Sequence, residues 1–255
     1  MSRSLHVFDN GVVVYDDQLI PSQRERYIKR NVHEAEEEDF FIKIIRGLPS
    51  NACFVNVGSA IGYYALLAKR LSPDLSIHVV EPLQRHLGYF VENIRLNEFS
   101  PMDFVIHSEA VAAAEGTVNF IDADYSSAIQ GRTRSLRAFV LKFLFASRTA
   151  KLLPFRVKAP QTSVVRSITL DSLVARVGRI VDLLQMDIQG FELDALIGGA
   201  ATLRSGQVKR FLIGTHGGEI HGECVKHLRF YNYLIEFEQH KSREQPDGIL
   251  LASKM

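Results

Sequence analysis

The residues best equipped for chemistry stand where apolar runs break off. Cys53-Phe-Val-Asn-Val57 reads as a buried strand, Gly58 ends it, and Gly62 opens an apolar helical pattern. Glycines allow a tight turn and let a ligand lie close to the backbone. The spacing is Gly-x-x-x-Gly, without the middle glycine of a pyrophosphate-binding loop. It suits a nucleoside lacking a phosphate at that place, such as S-adenosylmethionine. Ser76-Ile-His-Val-Val80 is a second buried-strand pattern, and Glu81 follows at its tip. An acid about 20 residues past the glycine loop is placed to accept hydrogen bonds from ribose hydroxyls. Glu81 therefore indicates an adenosine, and the loop indicates which kind. Two further polar residues end strand patterns: Asp187 after Val181-Asp-Leu-Leu-Gln-Met186, and His216 after Arg210-Phe-Leu-Ile-Gly-Thr215.

Strands and helices must alternate to hold these tips side by side. Helical stripes are predicted at 63–71 and 84–97, with strands at 52–57, 75–80 and 104–107, the last continuing towards Ala110-Val111. Residues 116–121 and 162–168 read as further strands, and 169–178 as a short helix. After the strand at 181–186 come a helical stripe from Leu193, a strand at 210–215, a helix at 223–230, and strands at 231–237 and 249–252. This order implies one α/β domain: a mostly parallel sheet, helices on both faces and an antiparallel C-terminal hairpin. Residues 1–33, with Gly11-Val-Val-Val-Tyr15 as a short strand or hairpin arm, are expected as an N-terminal appendage to a domain at 34–255. The acids Glu34, Glu36, Glu37, Glu38 and Asp39 open the helix predicted at 31–47 and read as its solvated first turn. The sharper alternative is that one glutamate faces the cofactor.

Composition is that of a globular protein: 46% hydrophobic, 23% charged, formal net charge +1. Two separated cysteines, Cys53 and Cys224, make neither a disulfide framework nor a zinc motif. The N-terminus lacks the apolar core of a signal peptide, and no run reaches the roughly 18 apolar residues of a membrane span. A cytoplasmic location is expected. Residues 126–160 depart from the alternation. They carry Arg132, Arg134, Arg137, Lys142, Arg148, Lys151, Arg156 and Lys158 among Phe139, Phe143 and Phe145, without a single acid. An ordinary packed helix with a solvated basic face accounts for this insertion. A lid, or contact of 132–158 with an anionic membrane surface, is the functional alternative. With no second basic patch, nucleic acid is not expected as a partner. The chain is expected as a monomer or homodimer.

Taken together, the motifs resemble the FkbM family of S-adenosylmethionine-dependent methyltransferases. The carriers are Phe54-Val-Asn-Val-Gly-Ser-Ala-Ile-Gly-Tyr-Tyr64, Val80-Glu-Pro82, Asn93-Ile-Arg-Leu-Asn97, Thr169-Leu-Asp-Ser-Leu173 and Val181-Asp-Leu-Leu-Gln-Met-Asp-Ile-Gln-Gly-Phe-Glu192. The resemblance spans roughly 34–253. Gln185 and Gln189 stand where the family usually has lysine and glutamate, and Asn56 and Ser59 where aspartate and alanine are common. The resemblance implies a class I methyltransferase (Rossmann-like) fold, doubly wound with a seven-stranded sheet. By family habit it also implies O-methylation of a sugar, glycan or secondary-metabolite hydroxyl.

On this reading Asn56, Gly58, Ser59 and Gly62 hold the methionine end of the cofactor. Glu81 holds the ribose, and Ser108, Ala110 and Val111 flank the adenine. An alcohol acceptor must lose a proton, and His216, with an ordinary pKa near ~6.5, is the expected base. Asp187 is expected to orient the acceptor or His216, hold a divalent cation or touch the methionine amino group, with Glu192 one helical turn and a little more beyond it. Oxygen ligands from Asp187, Glu192 and Asp171 alone are too few to assign a metal. A nicotinamide-dependent oxidoreductase is the competing reading, and a catalytically silent scaffold of the same fold is the third.

Overall fold

The computed structural model describes residues 3–122, 128–129, 161–240 and 247–255. A hairpin of β1 (Leu5–Val7) and β2 (Val13–Tyr15) precedes helices α1 (Pro21–Tyr27) and α2 (Ala35–Gly47). Then β3 (Cys53–Val57), α3 (Tyr63–Leu71), β4 (Ser76–Val80), α4 (Gln84–Leu96) and β5 (Phe104–His107) alternate. β6 (Ala110–Val111), β7 (Gly116–Asp122), β8 (Ala128–Ile129) and β9 (Gln161–Ile168) follow. The rest is α5 (Leu170–Val177), β10 (Leu183–Met186), α6 (Glu192–Ile197), α7 (Ala200–Ser205), β11 (Arg210–Thr215), α8 (Gly218–Phe230), β12 (Tyr233–Gln239) and β13 (Gly248–Lys254).

Seven strands form the central sheet in the order β12-β13-β11-β10-β3-β4-β5. From β11 to β5 all neighbours are parallel, and β13 joins both β11 and β12 antiparallel. This is the expected mostly parallel sheet with an antiparallel C-terminal pair. The order turns back between β3 and β10, where a doubly wound sheet opens its ligand crevice. Strand periodicity divides the core. Phe54, Ile77, Leu183 and Leu212 pack with α2, α3 and α4 on one face. Cys53, Val55, Val57, Leu184 and Met186 pack with α5, α6, α7 and α8 on the other. Both cysteines are buried free thiols.

Local chemistry sets the element ends. Thr169 caps α5 by accepting from Ser172 N at 3.1 Å, and Gly178 ends it at φ 72°. Asp171 accepts from Ala201 N and Thr202 N at 3.1 and 2.7 Å, so it caps α7 away from the strand tips. α8 starts at Gly218, five residues before the expected Glu223, because Gly218 and Gly222 disguise a helix in the sequence. Ala110-Val111 does not extend β5. It leaves the central sheet and pairs with β9, in a second sheet of order β6-β9-β7-β8. The basic segment at 126–160 lies outside the described residues except Ala128–Ile129, as does the 132–158 surface.

The N-terminal hairpin packs on the main core. Phe8, Val12, Val14, Leu19 and Tyr27 share one apolar cluster with Phe54 and Leu66. Asn97, the C-cap of α4, clamps β2, accepting from Val13 N at 3.0 Å and donating to Val13 O at 2.7 Å. No helix among the described residues is long and apolar enough to cross a membrane.

Gly62 is the N-cap of α3 at φ 87°, and a Cβ there would stand 1.9 Å from a ring carbon of Phe90. Gly88, exposed on α4, has open space around it. Gly62→Ala is therefore expected to destabilise the fold by about 2–4 kcal/mol, whereas Gly88→Ala should stabilise it by about 0.5–1 kcal/mol. Urea unfolding of the two variants checks this, and equal midpoints would refute the packing argument.

Candidate active site

The turn after β3 is built almost entirely by backbone. Gly58 N and Ser59 N both donate to Val80 O, at 2.9 and 3.2 Å, and Gly62 N donates to Ser59 O at 2.8 Å. Gly58 has φ 80°, and a Cβ on it would lie 1.9 Å from the carbonyl oxygen of Asp187. Only glycine lets the turn after β3 rest on the turn after β10. Ala60, where a dinucleotide loop has its middle glycine, takes φ 48°. Its N–H is fixed by Glu81, whose Oε2 accepts it at 2.9 Å while Oε1 accepts from Leu83 N at 2.9 Å. His86 Nδ1 stands 3.3 Å from the same Oε1. Glu81 is thus a preoriented, almost fully buried carboxylate at the tip of β4.

These turns floor a cavity of about 390 Å³. Asn56, Gly58, Ser59, Glu81, Ala110, Val111 and Asp187, all expected to hold the cofactor, line it together. Gly62 stands behind that floor as the α3 cap against Phe90. Ser108 is exposed at the break between β5 and β6, and Glu109 lines the wall beside Ala110. The opposite wall comes from the N-terminal segment through Ile20, Ser22, Gln23, Arg26, His33 and Glu34.

The acids that open α2 are not a solvated turn. Glu37 and Glu38 are fully buried, and Glu34 is nearly so. Glu38 accepts hydrogen bonds from the Tyr63 hydroxyl at 2.5 Å and from Asn10 Nδ2 at 2.9 Å. Glu37 accepts from Gln185 Nε2 at 3.0 Å, and Gln185 Oε1 accepts from Asn56 Nδ2 at 2.5 Å. The chain Asn56–Gln185–Glu37 crosses the sheet below the cavity, leaving Asn56 Oδ1 and Glu37 Oε2 buried without partners. Burial and then Asp187 push the Glu37 carboxyl up to about 7. Burial, then Glu37 and Asp187, raise Glu34 well above the ordinary range, although Arg26 approaches it at 3.6 Å. Burial lowers His33 to about 3, so it lines the cavity as a neutral ring hydrogen-bonded to Tyr27.

The second constellation lies at the tips of β10 and β11. The turn Asp187–Gly190 is tight, with Gln189 at φ 55° and Gly190 at φ 100°. Glu192, fully buried, holds it by accepting from Gly190 N at 2.9 Å and Ile188 N at 3.3 Å. The same Oε1 is 2.9 Å from His216 Nδ1. His216 Nε2 faces Asp187 Oδ1 at 3.5 Å and Asp247 Oδ1 at 3.2 Å. Burial alone would lower the His216 pKa, but Asp187, Asp247 and Glu192 outweigh it and raise it well above the usual value. The three carboxylates favour the protonated ring, which weighs against the expected base role. The Asp187 pKa also rises: burial lifts it to about 6, against the pull of His216 and with Asp247 and Glu192 adding to the rise. Asp187 is also the member that lines the cavity, beside Asp247. In the sequence Asp247 reads as part of a turn, Pro246-Asp-Gly248, and of an ending, Asp247-Gly-Ile-Leu-Leu251, consistent with the family, but without a site role; its approach to His216 is made by the β11–β13 pairing.

Residues 53–248 match the model of the methyltransferase FkbM domain. A protein of Jannaschia sp. (strain CCS1), named only as a methyltransferase, is 25% identical over 202 residues, covering 76% of this chain and 68% of its own length. The crystal structure of methyltransferase FkbM from Methylobacillus flagellatus KT superposes with a TM-score of 0.52 at 13% identity over 80% of this chain. This chain spans only 44% of that protein. Precorrin-6y C5,15-methyltransferase from Geobacter metallireducens GS-15 superposes at 0.51, with 12% identity, over 97% of this chain and all of its own. The fold is that of the class I, Rossmann-like methyltransferases.

The raised Glu37 pKa fixes a sign. Unfolded, the carboxyl titrates near its ordinary 4.5; folded, it keeps its proton up to about 7. Stability is therefore full below the lower value, falls as pH rises between the two, and stays reduced above. Glu37→Gln removes this penalty. It should gain about 1–3 kcal/mol over the parent at pH 8 and almost nothing at pH 4. Urea unfolding at both pH values checks it, and a pH-independent difference would refute the assignment.

Proposed function

The chain belongs to the methyltransferase FkbM family, and from that premise we propose that it carries a methyl group from S-adenosylmethionine to an alcohol oxygen. The observation that carries the cofactor half of this reading is the charge of the cavity wall. Glu81, Glu109, Asp187 and Asp247 line it beside Glu34, whose burial favours its neutral form, and Arg26 is the one lysine or arginine among the described lining residues. Such a wall attracts a sulfonium and an ammonium group. It repels the pyrophosphate of a nicotinamide dinucleotide, whose binding loop would also need a glycine where Ala60 stands.

Glu81 takes the ribose hydroxyls, its two oxygens held by Ala60 N and Leu83 N but retaining lone pairs towards the cavity. Asn56, with an unpartnered buried Oδ1, meets the methionine ammonium group. Ala110 and Val111 flank the base. The transfer is an in-line displacement: the acceptor oxygen bonds to the methyl carbon as the carbon–sulfur bond breaks, leaving a thioether. The hydroxyl proton leaves towards Asp187, the strand-tip carboxylate that lines the cavity. His216 supports that site as a positioning residue, itself oriented by Glu192. The acceptor approaches along the α1 wall, where Ser22, Gln23 and Arg26 offer polar contacts beside Ile20. A sugar, glycan or secondary-metabolite hydroxyl fits these contacts.

S-adenosylhomocysteine at one hundred times its Kd should stabilise the protein by about 2.7 kcal/mol. NAD at equal concentration should give a smaller shift in the same thermal melt; the reverse ranking would overturn the cofactor assignment. Glu81→Ala is expected to weaken S-adenosylmethionine about ten-fold in calorimetry. Unchanged affinity would remove Glu81 from the ribose site. Methyl incorporation across a panel of glycans and polyketide-like alcohols reads the acceptor class, and incorporation only into amines would refute the alcohol reading.

A further inference from the structure

We propose that Asp187, His216 and Asp247 form a binding site for a divalent metal ion of the manganese or zinc type. One ligand atom from each lies within 4.8 Å of the other two. Two donor atoms bound at about 2.1 Å and about 90–109° apart at an ion stand roughly 3.0–3.4 Å from each other. His216 Nε2 stands 3.2 Å from Asp247 Oδ1 and 3.5 Å from Asp187 Oδ1. Both separations lie within or close to that range, and the buried Nε2 makes no hydrogen bond of good geometry to either carboxylate. The spacing suits three ligands around one ion.

The surroundings support the same assignment. A metal-bound histidine typically gives its other ring N–H to a carboxylate, which fixes the ring and leaves the second nitrogen for the ion. Glu192 takes that place, 2.9 Å from His216 Nδ1 and itself pinned by two backbone N–H groups. The three ligands come from separate places, the tips of β10 and β11 and the residue before β13, so the sheet register holds their spacing. Gln189 donates to Asp187 Oδ1 at 3.0 Å and completes the outer layer. One imidazole and two carboxylates suit a first-row ion better than an all-oxygen ion such as magnesium. Three protein ligands leave coordination positions open, and Asp187 and Asp247 both line the cavity.

The test reads binding in the absence of cofactor and acceptor, so its failure leaves the methyl-transfer reading intact. Chelator-stripped full-length protein is titrated with manganese chloride and with zinc chloride by calorimetry. One ion per chain is expected. His216→Gln and Asp247→Asn should each weaken binding at least ten-fold, while Asp74→Asn, on an exposed turn, should not. Circular dichroism melts establish that each variant is folded at the titration temperature. Asp247→Asn, in a half-buried turn, keeps the test open should His216→Gln unfold. If neither ion binds below about 1 mM, or either folded ligand variant binds as the parent does, the proposal fails.

Discussion

Everything at the strand tips depends on one close approach of two backbones. The Asp187 carbonyl sits where a side chain on Gly58 would begin, and Asp187 N continues the ladder by donating to Val57 O at 3.0 Å. This contact seats the turn after β3 on the turn after β10. It brings the loop that leads to Glu81 within one cavity of Asp187. Rotating either turn outward would take Glu81 and Asp187 out of their common cavity. The constraint is steric and cannot be relieved by a rotamer change, because both partners are main chain.

A second constraint is electrostatic. The wall concentrates carboxylates, and its buried partners are amides. Gln185, where the family resemblance leads one to expect lysine, donates an amide proton to Glu37 and cancels no charge. A cation there would hold Glu37 ionised; the amide leaves burial to push it up to about 7. Gln189, in place of glutamate, likewise gives Asp187 a donor where another acid would repel it. The two departures act in opposite senses. One leaves Glu37 without a counter-charge, so burial favours its neutral form under the cavity floor, and the other limits how much negative charge accumulates at the strand tips.

Periodicity made the strands, the helices and the Glu81 position legible in the sequence. α3 and β11 have the expected bounds, and Glu81 stands at the tip of β4 beside the glycine turn. What periodicity cannot carry is the meaning of a charged residue in a helix. Glu34 and Glu37 read as a solvated turn by composition, and tertiary packing buried them. Asp247 was hidden because Asp-Gly is a turn signal on its own; only the antiparallel return of β13 gives it a histidine neighbour. His216 was legible as a polar strand tip, but its protonation depends on three carboxylates from distant parts of the chain. The departure of β6 into a second sheet depended on pairing with β9, more than fifty positions away.

The cavity has two walls of different origin. Its floor comes from the turns after β3, β4 and β10, inside the span that matches the family model. The facing wall comes from Ile20 to Glu34, ahead of that span, on a hairpin-and-helix layer pinned by Asn97. Under the proposed methyl transfer, residues of that layer would shape which acceptor enters while the turns of the floor hold the cofactor, so the two tasks would lie on separate stretches of polypeptide.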